Sequence, residues 1–334
     1  MKQPNSTYSP LAALNTPAGR ALIALAIVIV FGVLFNAEGA FFKPGTHRDA
    51  FRQASVYGIL ACGMTLVIIT AGIDLAVGSV LALSAVCCAK MAIHWQWSPW
   101  LVICATVLVG AGSGWVSGGV TARLGVQPFI ATLAMMVFAR GLAKYFSGGM
   151  KVSTAVQQPD GTYEYVDVPD LFRMIDTRVF GGNVSVVTLI FLSCVAVAYV
   201  MLAYHRWGRE LYAIGGNEEA ARLSGVPVAL SKTLAYVASG AFAGIAGICQ
   251  AAQEQQGDPE AGTGYELIAI AMVVIGGTNL MGGRGGMGLT LLGVMTIGYL
   301  EKILSINAVP EAARLMLTGL IIIAAVLTQR RGRT

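Results

Sequence analysis

A chain of 334 residues that is 56% hydrophobic and only 12% charged carries about half the charge of a soluble domain, where roughly 25% is usual. That is too little to cover a water-facing surface, so composition excludes a soluble protein and indicates an all-α polytopic membrane protein. The formal charge of +5 is dispersed apart from Arg330, Arg331 and Arg333, which argues against nucleic acid as a partner.

Residues 1–19 are polar and contain Pro4, Pro10 and Pro17, and 1–20 read as a loose N-terminal segment. The apolar run 21–35 resembles a signal-peptide core, but the leader before it and the many later spans favour an uncleaved first helix. Further spans are predicted at 53–71, 75–93, 99–122, 127–146, 184–203, 232–252, 264–278, 286–304 and 311–328, within a membrane domain of 21–328. The total is about ten helices of about 20 apolar residues each, and an even number puts both termini on one side. The stretch 264–278 is short for a straight crossing, which suggests an interrupted helix.

Arg206, Arg209, Arg222 and Lys232 near the 204–231 loop fall on the same side as the 329–334 tail. The positive-inside rule makes that side cytoplasmic, and the 147–183 loop external. Asp160-Gly161 in the external loop is a hairpin turn signal. Glycines at 110, 114 and 118, and at 240, 244 and 247, have the spacing that lets helix backbones approach in lipid. G-I-D-L-A-V-G (72–78) echoes G-T-N-L-M-G-G (277–283), each after an apolar run. Such an echo suggests duplicated halves with breaks at corresponding places.

Few residues in the spans offer chemistry. Asp74 lies between two apolar runs; an acid at mid-membrane costs about 3 kcal/mol, so it belongs at an interface, in a helix break or beside a wet cavity. Arg140, with Thr132 two turns before it, is an intramembrane candidate that pairs with an acid such as Glu266 or snorkels outward. Thr132, Asn279 and these three ionisable residues are the candidates for a translocation path. Glu301 and Lys302 read as interface anchors. The six cysteines all lie in apolar runs, without C-x-x-C spacing, and read as small buried hydrophobes. Gly283-x-Gly285-x-x-Gly288 lacks a βαβ setting, no P-loop is present, and the three histidines are scattered. No catalytic residue, metal ligand or cofactor site is assigned.

The most informative polar stretch is Trp207–Pro227. Asn217 is an N-cap, Glu218 and Glu219 suit the positive end of a helix dipole, and Ala220, Ala221, Arg222 and Leu223 propagate the helix. Gly225 supplies a left-handed C-cap and Pro227 a stop. Two turns are too few to be stable alone in water, so the helix must be held by its neighbours or by a partner.

Three segments in order, G-I-D-L-A-V-G-S (72–79), Y-A-I-G-G-N-E-E-A-A-R-L-S-G (212–225) and V-I-G-G-T-N-L-M-G-G-R-G-G (274–286), resemble the ribose-type sugar permeases. These are membrane subunits of bacterial ABC importers, related to the branched-chain amino-acid permeases. P-F-I-A-T-L (128–133) with Arg140-Gly141 also fits, so the resemblance runs from about residue 53 to 328. It implies a monosaccharide permease of the inner membrane, paired with itself or a sister permease. It also implies a separate cytoplasmic ATPase and a periplasmic sugar-binding protein. Asn217 to Gly225 would be the coupling helix that docks on the ATPase, with spans 184–203 and 232–252 transmitting its motion. The alternatives are a permease for another small solute, such as a branched-chain amino acid, and a secondary transporter in which Asp74 or Glu266 carries protons.

Overall fold

The computed structural model describes residues 16–157 and 161–330. Its helices are α1 (Pro17–Leu34), α2 (Pro44–Ile69), α3 (Val77–Ala89, with a π-helical extension Lys90–His94), α4 (Pro99–Arg123) and α5 (Pro128–Ser147). They continue with α6 (Asp170–Asp176), α7 (Val186–Ala203), α8 (Arg206–Gly216), α9 (Glu218–Leu223) and α10 (Val228–Glu254). The last three are α11 (Tyr265–Gly276), α12 (Met287–Ile306) and α13 (Glu311–Arg330). Among the described residues eight helices are long and apolar enough to cross a membrane. The all-α membrane architecture is as expected, and all ten predicted spans are helical.

The first helix starts earlier than its apolar run. Pro17 sits at its first turn, and the Thr16 hydroxyl caps it by accepting from the Gly19 amide at 3.0 Å. Residues 1–15 and 331–334, including Arg331 and Arg333, lie outside the described residues. The α11 helix is short as expected: its 12 residues reach about 18 Å at 1.5 Å each, well under the ~30 Å hydrocarbon core.

α2 and α3 form the centre, with 83% of each apolar window buried, against 17% for α1. α10 crosses them. The predicted glycine packing is present between α4 and α10. A Cβ on Gly110 would lie 2.1 Å from the Gly240 carbonyl oxygen, and one on Gly114 would lie 2.0 Å from that of Tyr236. Side chains at these positions would separate the helices. Large apolar residues on α1, α4, α5 and α7 face outward, where lipid would cover them. Trp95, Trp97 and Trp100 are exposed together at the turn from α3 to α4, as at a membrane interface. The cysteines form no disulfides, and five are at least partly buried; Cys104 is exposed on α4 and departs from the expectation.

One end of the bundle carries the 147–183 segment. β1 (Ala155–Gln157) and β2 (Tyr163–Tyr165) form the predicted hairpin, although Asp160 lies outside the described residues. β3 (Arg178–Val179) pairs with β4 (Val184–Ser185) just before α7. The segment is fastened down: Arg178 meets Asp49 at 2.6 Å, Arg52 pairs with Asp176, and Phe172 is buried. α8 and α9 occupy the opposite end.

Candidate functional site

The opposite end is built around a doubly capped helix. Asn217 closes α8 and opens α9. Its extended backbone turns the chain, and its side-chain oxygen accepts from the Ala220 amide at 3.0 Å. Gly225, at φ +83°, closes α9. The Val226 amide returns to the Ala221 carbonyl and the Gly225 amide to that of Arg222, both at 3.0 Å. Those two bonds make a Schellman motif, and Ala221 and Val226 supply its apolar contact with Ile214 and Val228. Arg222 reaches Glu218 at 3.2 Å and Glu219 at 3.1 Å, and Lys232 at the start of α10 reaches Glu218 at 3.0 Å. Leu223 is left 81% exposed at the tip, with Ala220 exposed beside it.

α8 anchors this tip to the bundle. The Trp207 indole donates to the Ser231 carbonyl at 3.1 Å, and the Ser231 hydroxyl to Glu210 at 2.7 Å. Tyr212 donates to the Gly285 carbonyl at 3.0 Å, and burial pushes its phenol pKa up. At Gly215 the contact is backbone to backbone: a Cβ there would lie 1.8 Å from the Ile69 carbonyl oxygen and 2.5 Å from the Gly283 amide nitrogen. The Gly283 amide itself donates to Ile69 at 2.9 Å. The C-terminal end of α2, just before the first echoing segment, therefore meets the second echoing segment here, both against α8. Asn279 shapes the second by accepting from the Met281 amide at 3.1 Å and donating to the Gly282 carbonyl at 3.2 Å. It belongs to this end rather than beside Asp74 and Glu266.

Asp74 and Glu266 stand where two interrupted helices begin. Residues 70–76 run back into the bundle before α3 starts, and residues 255–264 do the same before α11. The two starts touch: a Cβ on Gly78 would lie 2.2 Å from the Gly262 carbonyl oxygen and 2.6 Å from a Glu266 carboxylate oxygen. An acid at each start suits the positive helix end. Asp74 is 3% exposed, and both oxygens are engaged, accepting from the Ala76 amide at 3.0 Å and the Ser239 hydroxyl at 2.7 Å. Thr132 is buried beside it and donates to the Ile73 carbonyl at 3.2 Å. Arg140 donates to the Pro259 and Ala261 carbonyls, the latter at 2.8 Å, and so pins the 255–264 segment to α5.

The Asp74→Ala substitution is expected to leave the Ala76 amide and Ser239 hydroxyl without their acceptor, at about 1–3 kcal/mol each. Thermal unfolding of the purified protein should shift down by several degrees, and Asp74→Asn, which keeps one acceptor, should recover part of the loss.

A cavity of about 280 Å³ lies toward the hairpin end, between α2, α10, α11, α12 and α13. Gln53, Tyr57, Gln250, Gln253, Glu301 and Arg314 are among its walls. Glu301, which the sequence suggests is an interface anchor, lies 3.6 Å from Arg314 and accepts from the Thr318 hydroxyl at 3.2 Å. The sequence signals none of these residues as a group, because they come from four helices and each looks like an ordinary polar residue near a span end.

The family described as "Branched-chain amino acid transport system / permease component" matches residues 48–326. The Escherichia coli K12 ribose import permease protein RbsC is 37% identical over 307 residues, covering 92% of both chains. Its Haemophilus influenzae counterpart is 38% identical over 92% of this chain and 91% of its own. The fructose import permease protein FruG of Bifidobacterium longum is 34% identical over 94% of this chain and 90% of its own. No solved structure gives a significant match. With eight apolar spans and a family match across almost all of them, the chain belongs to this family of transport-system permease components.

Proposed function

We propose that the chain is the membrane subunit of a bacterial ABC importer for a monosaccharide, driven through α9 by an ATPase on a separate polypeptide. The sugar class follows the relatives, which are named for ribose and fructose. The observation that carries the mechanical reading is the exposed Leu223 on a two-ended cap. An apolar tip on a stiff, charge-clamped helix is suited to bind a partner surface, and the chain contains no phosphate-binding loop of its own.

In this reading the arginine-rich 204–231 loop and both termini are cytoplasmic, and the 147–183 segment is external, in reach of a periplasmic sugar-binding protein. A second permease copy or a sister permease completes the membrane half. Motion at α9 passes to the bundle along more routes than α7 and α10. The Gly215 junction couples it to α2 and to the turn joining α11 and α12. ATP binding would bias one of two packed arrangements of these helices, as alternating access requires.

Asp74 has a structural role, since its two oxygens accept from the Ala76 amide and the Ser239 hydroxyl. It fits as a positioning residue for the break before α3.

Reconstituting the chain with its ATPase and binding protein in proteoliposomes tests the function. Uptake of labelled D-ribose or D-fructose should require ATP inside and binding protein outside. Uptake by the chain alone, abolished by a protonophore and indifferent to ATP, would overturn the proposal.

A further inference from the structure

We infer that the cavity between α2, α10, α11, α12 and α13 holds the solute in transit, and that its chemistry selects a neutral polyhydroxyl molecule. The inference rests on the importer reading and supplies the site that reading lacks.

The lining is unusual for a membrane interior. Gln53, Gln250 and Gln253 place three carboxamides around one space, and each amide offers both donors and acceptors. A hydroxyl is also both donor and acceptor, so amides suit a sugar better than an ion. Glu301 and Arg314 face the same space 3.6 Å apart, so their charges cancel locally. The Tyr57 and Tyr265 rings, with centroids 4.4 Å apart, add flat apolar surface of the kind that suits the C–H face of a sugar ring. Polar side chains within a bundle are costly and are kept where they serve a path.

Bonding capacity in the walls is also unspent. The Gln253 amide nitrogen and the Arg314 Nε are buried without a hydrogen-bond partner. A buried donor left unmade carries a penalty, and a ligand hydroxyl would remove it. Gln250 is mostly buried too, with its amide nitrogen turned onto Glu254. An acyl chain or an apolar side chain would fill this space without meeting either free donor.

The walls are connected to the driven end. α10 runs from Lys232, which holds Glu218 of α9 at 3.0 Å, to Gln250 and Gln253. α11 and α12 are joined by the turn that meets α8 at Gly283 and Gly285. With α2 reached through Gly215 and Ile69, a shift of α8 and α9 therefore moves four of the five helices around the cavity.

The test uses the complete importer in proteoliposomes, with D-ribose and D-fructose as probes and L-leucine as the contrasting solute. Gln250→Leu and Gln253→Leu should each lower sugar uptake at least tenfold while the variants still co-purify with the ATPase. As a second reading, Ser305→Cys at the cavity wall, with Cys104→Ser to remove the exposed native thiol, should react with a thiol reagent at least threefold more slowly when the sugar is present. Unchanged uptake in both leucine variants, or labelling that sugar does not slow, would overturn the cavity assignment and leave the importer reading standing. Slowing by L-leucine instead of sugar would overturn the ligand class. If the unaltered chain moves no sugar at all, the importer reading fails, and the cavity assignment falls with it.

Discussion

The Leu223→Asp substitution is expected to reduce ATP-driven uptake at least tenfold without lowering the amount or the thermal stability of the permease. Leu223 is 81% exposed, so a charge there stays solvated, and its contact with the negative end of the α9 dipole costs under about 1 kcal/mol. The helix beneath it keeps its Asn217 cap, its Schellman end and the Arg222 clamp. The loss should therefore fall on docking alone. A buried apolar anchor at an interface contributes about 2 kcal/mol or more, and about 1.4 kcal/mol is a factor of ten in affinity. The measurement is uptake per unit of reconstituted permease, with the melting curve of the purified chain beside it. Undiminished uptake would remove α9 from the driving path.

A second large effect is expected from Gly114→Leu, and it should strike the fold rather than the motor. The side chain would begin 2.0 Å from the Tyr236 carbonyl oxygen and 3.0 Å from the Val237 Cα. Both are backbone atoms in the middle of α10, so neither can rotate away. Overpacking of side chains commonly costs about 1–3 kcal/mol, and a clash with backbone at the contact of α4 with α10 should exceed that. Folded, detergent-extractable protein should fall more than tenfold. Gly112→Leu is the control. It lies on the same helix, a Cβ there meets nothing within 4 Å, and extraction should be close to normal. Equal behaviour of the two variants would contradict the packing described for α4 and α10.

How much of this was legible in the sequence depends on the range of the interaction. The α9 caps were readable from Asn217 to Gly225, because capping bonds span three to five residues and each uses a side chain or glycine suited to it. The Gly110 and Gly114 contacts were readable as a spacing, since small residues every four positions have a direct geometric meaning. The Gly215 junction was not: nothing local distinguishes that glycine from Gly216, and its role comes from Ile69 and Gly283 arriving from elsewhere. The same holds for Asp74, whose partner Ser239 is 165 residues away. The polar cavity was the least visible feature. In lipid a helix can be apolar on every side, so periodicity that would mark an inward face in a soluble protein is weak. Isolated residues such as Gln253 or Glu301 then look like span-end punctuation until the helices are set together.

The echo between 72–78 and 277–283 had a physical counterpart that sequence matching alone could not supply. Both segments follow a helix that runs toward the α8 end and precede one that runs back, and the end of α2 just before the first meets the second where the Gly283 amide donates to the Ile69 carbonyl. A motor acting on α8 would thus reach the end of α2 and the turn between α11 and α12 at one place.

In the proposed importer α9 is a cytosolic peg moved by an ATPase on a separate polypeptide. The most direct test places a single thiol there by Glu219→Cys, in a Cys104→Ser background, and exposes it to a membrane-impermeant reagent. Labelling is expected in inside-out vesicles, with protection when the ATPase is bound, and none in intact cells. Labelling from the outside of intact cells would contradict that placement.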